Sequence, residues 1–372
     1  MGLATVSVPA SCSNSNEIRR RLGHEPVLDA IRGIAILLVL ARHSGGILPG
    51  GALGVDLFFV LSGFLITSLL LNEWSGSGRL SLGAFYRRRA LRLFPALFAM
   101  LAVFVVVSSL LLALGRSSAA RFGGDVADAG LGVAYVLNFV LAASGSIPAD
   151  SLRPLWSLAQ EEQFYLVWPV LLLVMLRTRL SPRTIAFVLA ALFAALVSYR
   201  MALALSGAPI HRLWFAPDTH ADPIVLGCLA GVAYSYGLLR RVPSWLPLTL
   251  LVPAALTLAT LDTYDRVLYT VPLPLFSVTC AVLLLAVLTT PESRLAWALN
   301  LRPLRALGRI SYGLYLWQLP IFAAFGWVLG LPITFAVALI SFRYIEKPFL
   351  RLKAQGRAPR TAPAPALAPA TP

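Results

Sequence analysis

Charge is what this chain of 372 residues has little of. Only 13% of it is charged, against about a quarter of a typical soluble domain, while 58% is hydrophobic and mean hydropathy is +0.78. So apolar a chain would expose more greasy surface than water tolerates, which excludes a soluble enzyme. Cysteine is scarce as well: Cys12, Cys228 and Cys280 give neither a disulfide framework nor a metal-ligand spacing. Cys228 and Cys280 lie in apolar runs and read as small hydrophobes. Short alternating segments are missing, because the apolar runs are long and continuous, and that excludes a β-barrel. Lysine is confined to Lys347 and Lys353, so arginine supplies nearly all of the 31 positive charges, set against 16 acidic ones. The net charge of +15 would suggest nucleic acid in a soluble protein. In a membrane protein the positive-inside rule accounts for it, and no nucleic acid partner is expected.

What is present is a series of hydrophobic runs. Ten fit membrane spans, over 27–48, 51–72, 93–114, 154–176, 184–205, 222–239, 245–261, 268–290, 310–329 and 331–346. Each is near the ~20 residues that cross a bilayer. The apolar stretch 131–144 is assigned to the interface or to a re-entrant segment, and the arginines decide this. With ten spans, 22 of the 31 positive charges fall on one side, five on the other and four within spans. If 131–144 crossed, every later loop would change sides and the bias would collapse. The expected fold is an all-α integral membrane bundle of about ten transmembrane helices, multi-pass in the plasma membrane, with both termini cytoplasmic. Residues 1–25 read as a flexible cytoplasmic tail ending in Arg19-Arg20-Arg21. The run that follows holds Asp29, Arg32, Arg42 and His43, so it is expected to stay as the first helix of a domain over 26–352. The Ala/Pro-rich segment 353–372 is expected to be disordered.

Ionisable groups within apolar spans are costly and mark candidate function. Arg32 and His43 are eleven residues apart, which leaves about 20° between them on a helix and about 16 Å along its axis. They share one face, with Arg32 toward the cytoplasm and His43 in the outer half. A histidine there either hydrogen-bonds a neighbouring helix or serves as a base. The turn at Pro49-Gly50 brings Asp56 to the depth of His43, where a carboxylate can orient the imidazole. Alternatively Asp56 pairs with Arg42 for structure. Gly51, Gly54 and Gly63 permit close helix packing.

Further along, Arg88, Arg89 and Arg92 lie in a basic run, with Arg89 and Arg92 on one helix face, and can grip phosphate groups or merely set topology. Ser157 with Gln160 fits a capping box after Trp156, which starts a helix and puts Glu161 near the level of His43. Asp222 opens another helix, as an N-cap or as a site residue. Ser311, Tyr312 and Gln318 mark the ninth span, and Glu346 at the end of the tenth is placed to pair with Arg89 or Arg92. No nucleophile elbow, Walker loop or metal cluster competes with these groups.

Together these motifs resemble the acyltransferase 3 family of integral-membrane bacterial O-acyltransferases, over about residues 25–352. The resemblance rests on Arg32 with ten residues to His43, and on Gly54-Val55-Asp56-Leu57-Phe58-Phe59 running to Ser62-Gly63-Phe64. It extends through Arg89 with Arg92, Trp156-Ser157-Leu158 to Glu161, Ser311-Tyr312 to Leu316-Trp317, and Ile345-Glu346-Lys347-Pro348. It implies that His43 is the catalytic histidine and Arg32 its partner in the donor site; Asp56 and Glu161, read from their depth in the spans, are the further catalytic candidates. It implies acyl-coenzyme A, acetyl first among the acyl groups, as donor substrate at Arg88, Arg89, Arg92, Ser311 and Tyr312, with no bound cofactor or metal. The acceptor is a hydroxyl of a glycan, glycoside or macrolide, with Trp156, Asp222 and Gln318 as acceptor-side candidates. Two positions depart from the family pattern: Gln318 stands where many members have histidine, and His220 where many have arginine. Transfer runs directly to the acceptor or through an acyl-histidine. The rival class is a transporter or flippase for a glycan or lipid-linked substrate, which would bury the same kinds of residue.

Overall fold

The computed structural model describes residues 18–23, 25–239, 241–243 and 245–355. Among these there is no strand. Helix α1 (Pro26–His43) leads through a 3-10 turn, Pro49–Leu53, into α2 (Gly54–Ser77) and α3 (Leu82–Ala113). Two shorter helices follow, α4 (Ala119–Val133) and α5 (Leu137–Ser144), then α6 (Leu155–Arg177) and α7 (Pro182–Leu205). Short α8 (Ile210–Phe215) and α9 (Pro217–His220) precede α10 (Asp222–Ser235), α11 (Trp245–Thr260) and α12 (Pro272–Thr289). The described chain closes with α13 (Arg294–Leu299), α14 (Arg302–Ser341), a π-helical turn over Phe342–Glu346, and α15 (Lys347–Gln355).

Every expected span has a helix, and α14 holds two of them. At Gly326 the backbone takes φ 70° and ψ 165°, a conformation open to glycine, and the run folds back on itself. Gly330 then lies on Phe322, and Gly313 lies on Ala338 and Glu346. The apolar stretch 131–144 breaks at Tyr135 (φ 54°), and the eight residues of α5 are too short to cross a bilayer. Among the described residues five segments are long and apolar enough to do so: Pro49–Ser77, Leu82–Ala113, Pro182–Leu205, Pro272–Thr289 and Arg302–Leu352. Large apolar side chains stand exposed along outward faces, including Val106 and Leu110 on α3, Leu166 and Val170 on α6, and Phe187 on α7. Such faces fit a hydrocarbon surround.

The sequence boundaries shift at both ends. The backbone amides of Arg19 and Arg20 both donate to the Ser235 carbonyl, and Leu22 is buried, so this part of the 1–25 tail is packed against the end of α10. Residues 1–17 and 24 of that tail lie outside the described residues, as do 356–372, and α15 carries the helix on to Gln355.

Glycine sets how closely the central helices approach. Gly308 faces the Asp29 carbonyl and Gly33 the Leu304 carbonyl, so α1 and α14 cross backbone to backbone. Gly63 faces Ile224 and Gly227 faces Val60, which clamps α2 to α10, while Gly51 and Gly54 rest on Leu38 and Ala35 of α1. These contacts bear out the packing role read for Gly51, Gly54 and Gly63. A Cβ at Gly308 has no flexible side chain to push aside, only backbone. Gly308→Val is therefore expected to destabilise the bundle by at least the ~1–3 kcal/mol of an overpacked core. Thermal unfolding of the purified chain in detergent checks this: a clear fall in midpoint is expected, and Gly83→Val, in open space, is the control.

Candidate active site

A cavity of about 590 Å³ opens between α2, α3, α6 and the first half of α14. Its wall follows α2 from Glu73 to Val55, eighteen residues, or about 27 Å of helix. One end is cationic, with Arg88, Arg89, Arg92 and Arg32 on the wall, and the other is apolar, with Val55, Phe58, Phe59 and Leu158. Glu161, Ser311 and Tyr312 line it too. All five donor-site residues read from the sequence thus meet Arg32 and Glu161 in one space.

The arginines are not equivalent there. Arg88 pairs with Glu73 at 3.0 Å. Arg89 pairs with Glu162 at 2.8 Å and with Glu161 at 3.4 Å, and its guanidinium sits 3.7 Å over the Tyr165 ring. Arg32 pairs with Asp29, one turn back on α1, at 3.1 Å. Arg92 makes no ion pair or hydrogen bond among the described residues, and the like charges of Arg32 and Arg89 bear on it. An anion entering the cavity therefore finds one guanidinium without an ion-pair partner, on which Glu161 and Glu346 act only from beyond contact, with three paired ones around it. Tyr312 donates to the Leu93 carbonyl at 2.9 Å and ties α14 to α3 at this wall, while Ser311 donates within α14 to the Gly308 carbonyl at 2.9 Å.

Glu161 is not at the level of His43, as the helix-start reading had it. Its Oε1 accepts from the Ser62 hydroxyl and from the Tyr165 hydroxyl at 2.6 Å, and its ion pair with Arg89 seats it among the arginines. The reading began from a capping box that does not form: Ser157 donates to the Pro154 carbonyl and shares a 2.6 Å hydrogen bond with Tyr315 instead. Glu346 likewise takes neither Arg89 nor Arg92; it is buried beside Gly313 and accepts from Ser341.

The His43–Asp56 dyad is also overturned. Asp56 is wholly buried and its Oδ1 lies 3.0 Å from Nε2 of His220. Nδ1 of His220 faces the Trp214 carbonyl at 2.6 Å. Two acceptors flank that ring, so the pair holds one proton between Nε2 and the carboxylate in addition to the one on Nδ1. Beside it Arg200 and Asp222, both fully buried, form a two-pronged ion pair, and Arg200 also donates to the Thr219 carbonyl at 2.9 Å. Asp222 is thus neither N-cap nor acceptor contact. Trp156 stacks on His220 at 5.4 Å and packs on Trp214, Phe215 and Phe59, so it walls this polar cluster rather than the cavity. The alternative partner for Asp56, Arg42, is taken by Asp262 at 2.9 Å. Arg200 and Asp262 were missed as site residues. An arginine within an apolar span was the available signal for Arg200; nothing local marked Asp262.

His43 stands outside the cavity but close to its apolar end. Its Nδ1 is 3.1 Å from Oε1 of Gln318, and Gln318 follows Tyr315, a wall residue, by three positions on α14. About 4.5 Å of helix rise separates the two. Along α1, Arg32 marks the cationic end and His43 the far end, about 16 Å apart.

A family model described as an acyltransferase domain matches residues 25–344. Among curated proteins the chain is similar to the peptidoglycan O-acetyltransferase OatA of Listeria monocytogenes, with 32% identity over 87% of this chain and 55% of that protein. It is 33% identical to the putative peptidoglycan O-acetyltransferase YrhL of Bacillus subtilis, over 87% of this chain and 54% of that one. For the O-acetyltransferase OatA of Staphylococcus aureus the figures are 28%, 87% and 57%. The chain spans a little over half the length of these curated relatives. No solved structure matches it.

The buried Asp56–His220 pair yields a prediction about stability. Removing one partner of a buried pair strands the other and typically costs about 3–5 kcal/mol. Asp56→Ala is expected to lower the unfolding midpoint of the purified chain well below wild type. Replacing both members with leucine is expected to recover most of the loss. An Asp56→Ala variant as stable as wild type would contradict the pairing.

Proposed function

The chain belongs to the acyltransferase 3 family, and from that premise we propose that it is a membrane O-acyltransferase carrying an acetyl group from acyl-coenzyme A to a glycan hydroxyl. The observation that carries this reading is the cavity: cationic at one end, apolar at the other, and closing one turn short of the partner of His43. A nucleotide with several phosphates suits the cationic end. Arg92, the unpaired guanidinium, is the chief phosphate contact, and Arg88 and Arg32 exchange part of their carboxylate pairing for it. Arg89 is held by two carboxylates and serves the wall. The pantetheine arm lies along α2, and the thioester arrives by Tyr315 and Ser157 below His43. His43 takes the proton of the acceptor hydroxyl as that oxygen attacks the thioester carbonyl. A two-step path through an acyl-histidine uses the same geometry.

In this reading the bundle is multi-pass in the plasma membrane with both termini cytoplasmic, so the donor enters from inside and His43 serves the outer half. The bundle's ends support that orientation. Arg42 with Asp262, Gly45 with Trp327, and Arg266 with the Ala204 and Ala208 carbonyls gather at one end. Arg88, Glu73, Asn72 and Leu22 gather at the opposite end, where most arginines fall. For the acceptor, the relatives named for peptidoglycan favour a cell-wall glycan over a glycoside or macrolide. Relatives named as O-acetyltransferases likewise favour transfer over the transporter or flippase reading.

Two variants separate binding from chemistry in one assay, the acetyl-coenzyme A-dependent O-acetylation of a muropeptide acceptor by proteoliposomes. Arg92→Gln is expected to raise KM for acetyl-coenzyme A about ten- to a hundredfold, from one charge-assisted contact of about 1.5–3 kcal/mol, with kcat nearly unchanged. His43→Ala is expected to keep donor binding and to lose about 10²- to 10⁴-fold in kcat. Full activity in His43→Ala would refute the reading.

A further inference from the structure

The side chain that orients His43 is an amide rather than the carboxylate expected from sequence, and its hydrogen bonds define which nitrogen of the ring is free. Gln318 is wholly buried. Its Nε2 donates to the Tyr315 carbonyl at 3.4 Å, and its Oε1 lies 3.1 Å from Nδ1 of His43. A carbonyl only accepts, so the amide nitrogen belongs on the Tyr315 side and the amide oxygen faces the ring. That oxygen only accepts in turn, so Nδ1 carries the hydrogen. In a neutral imidazole, Nε2 is then left with the lone pair. No carboxylate displaces this arrangement. Of the charged groups that act on the ring, Arg42 is held by Asp262 and Asp150 is held by Arg153. Asp56 is committed to His220.

We infer that Gln318 is the positioning residue of His43, fixing the tautomer in which Nε2 is the base. The inference rests on the proposed function, in which His43 acts on the acceptor hydroxyl. The acceptor oxygen forms its bond to the thioester carbonyl carbon and the carbon–sulfur bond breaks. The hydroxyl proton passes to Nε2 and from there to the departing coenzyme A thiolate, so His43 is neutral before and after. An amide suits this cycle. It fixes the ring without the negative charge that would hold the imidazolium and slow release of the proton to the thiolate. It also ties the ring to α14 one turn beyond Tyr315, over the apolar end of the cavity.

Nitrogen NMR on the full chain, with ¹⁵N-histidine incorporated and the protein in lipid nanodiscs, reads the tautomer directly. The chain has four histidines, His24, His43, His211 and His220, so the signal lost in His43→Asn assigns the ring. Wild type is expected to show Nδ1 protonated and Nε2 bare, and Gln318→Leu a shift toward the other tautomer. In the transfer assay Gln318→Leu is expected to lose about 10²-fold in kcat with KM for acetyl-coenzyme A unchanged. Gln318→Glu keeps an acceptor at Nδ1. It is expected to retain kcat within about tenfold while the ascending limb of its pH profile moves to higher pH, because a carboxylate favours the charged ring. A wild-type His43 protonated on Nε2 overturns the inference, whether or not the leucine variant folds. So does a tautomer unchanged in Gln318→Leu. Transfer that survives in His43→Asn would sink the proposed function instead, and leave the tautomer result standing.

Discussion

A guanidinium half-buried among apolar helices is tolerable only when carboxylates meet it, and Arg89 is where this molecule satisfies that demand. Glu161 and Glu162 bring α6 to α3, and Glu161 reaches on to the Ser62 hydroxyl of α2. Three walls of the cavity are thereby referenced to one side chain. Arg92 lies one turn further along α3, on the same face, with no such partner. Two arginines three positions apart divide the work: one holds the walls together and the next leaves the cavity with positive charge to offer.

The same demand shapes the other half of the bundle. Asp56 with His220, Arg200 with Asp222, and Arg42 with Asp262 join α2, α7, α10 and the segments around them. Each pair is made across helices rather than along one, so each constrains how the helices are rotated against each other. The glycine contacts of α1 with α14 and α2 with α10 supply the close approach that lets such short side chains meet. His43, the last residue of α1, is held by an amide beyond the apolar end of the cavity.

Much of this was legible in the sequence because it depends on one helix at a time. Hydrophobic runs gave the helices, the eleven-residue spacing put Arg32 and His43 on one face, and Arg89 with Arg92 on one turn did mark a cationic wall. What failed required the rotation between helices. Depth alone put Asp56 beside His43, but α2 turns that carboxylate toward α10 and His220. Glu161 was misplaced because a capping box was read where Ser157 bonds Tyr315, 158 residues away. The pairing of Arg200 with Asp222, and of Arg42 with Asp262 across 220 residues, has no local signature. Gln318 was noted as a departure from a family pattern, yet its role follows only from the two atoms it touches.

The central claim is that one cavity delivers an acyl thioester from the arginine cluster to His43. Electron cryomicroscopy of the full chain with a non-hydrolysable thioether analogue of acetyl-coenzyme A tests it most directly. The account predicts phosphate density against Arg92 and Arg88, the pantetheine arm along α2, and the acetyl end by Tyr315 beneath His43. Density that leaves the cavity empty, or that runs in the opposite sense with the acetyl end among the arginines, would contradict it.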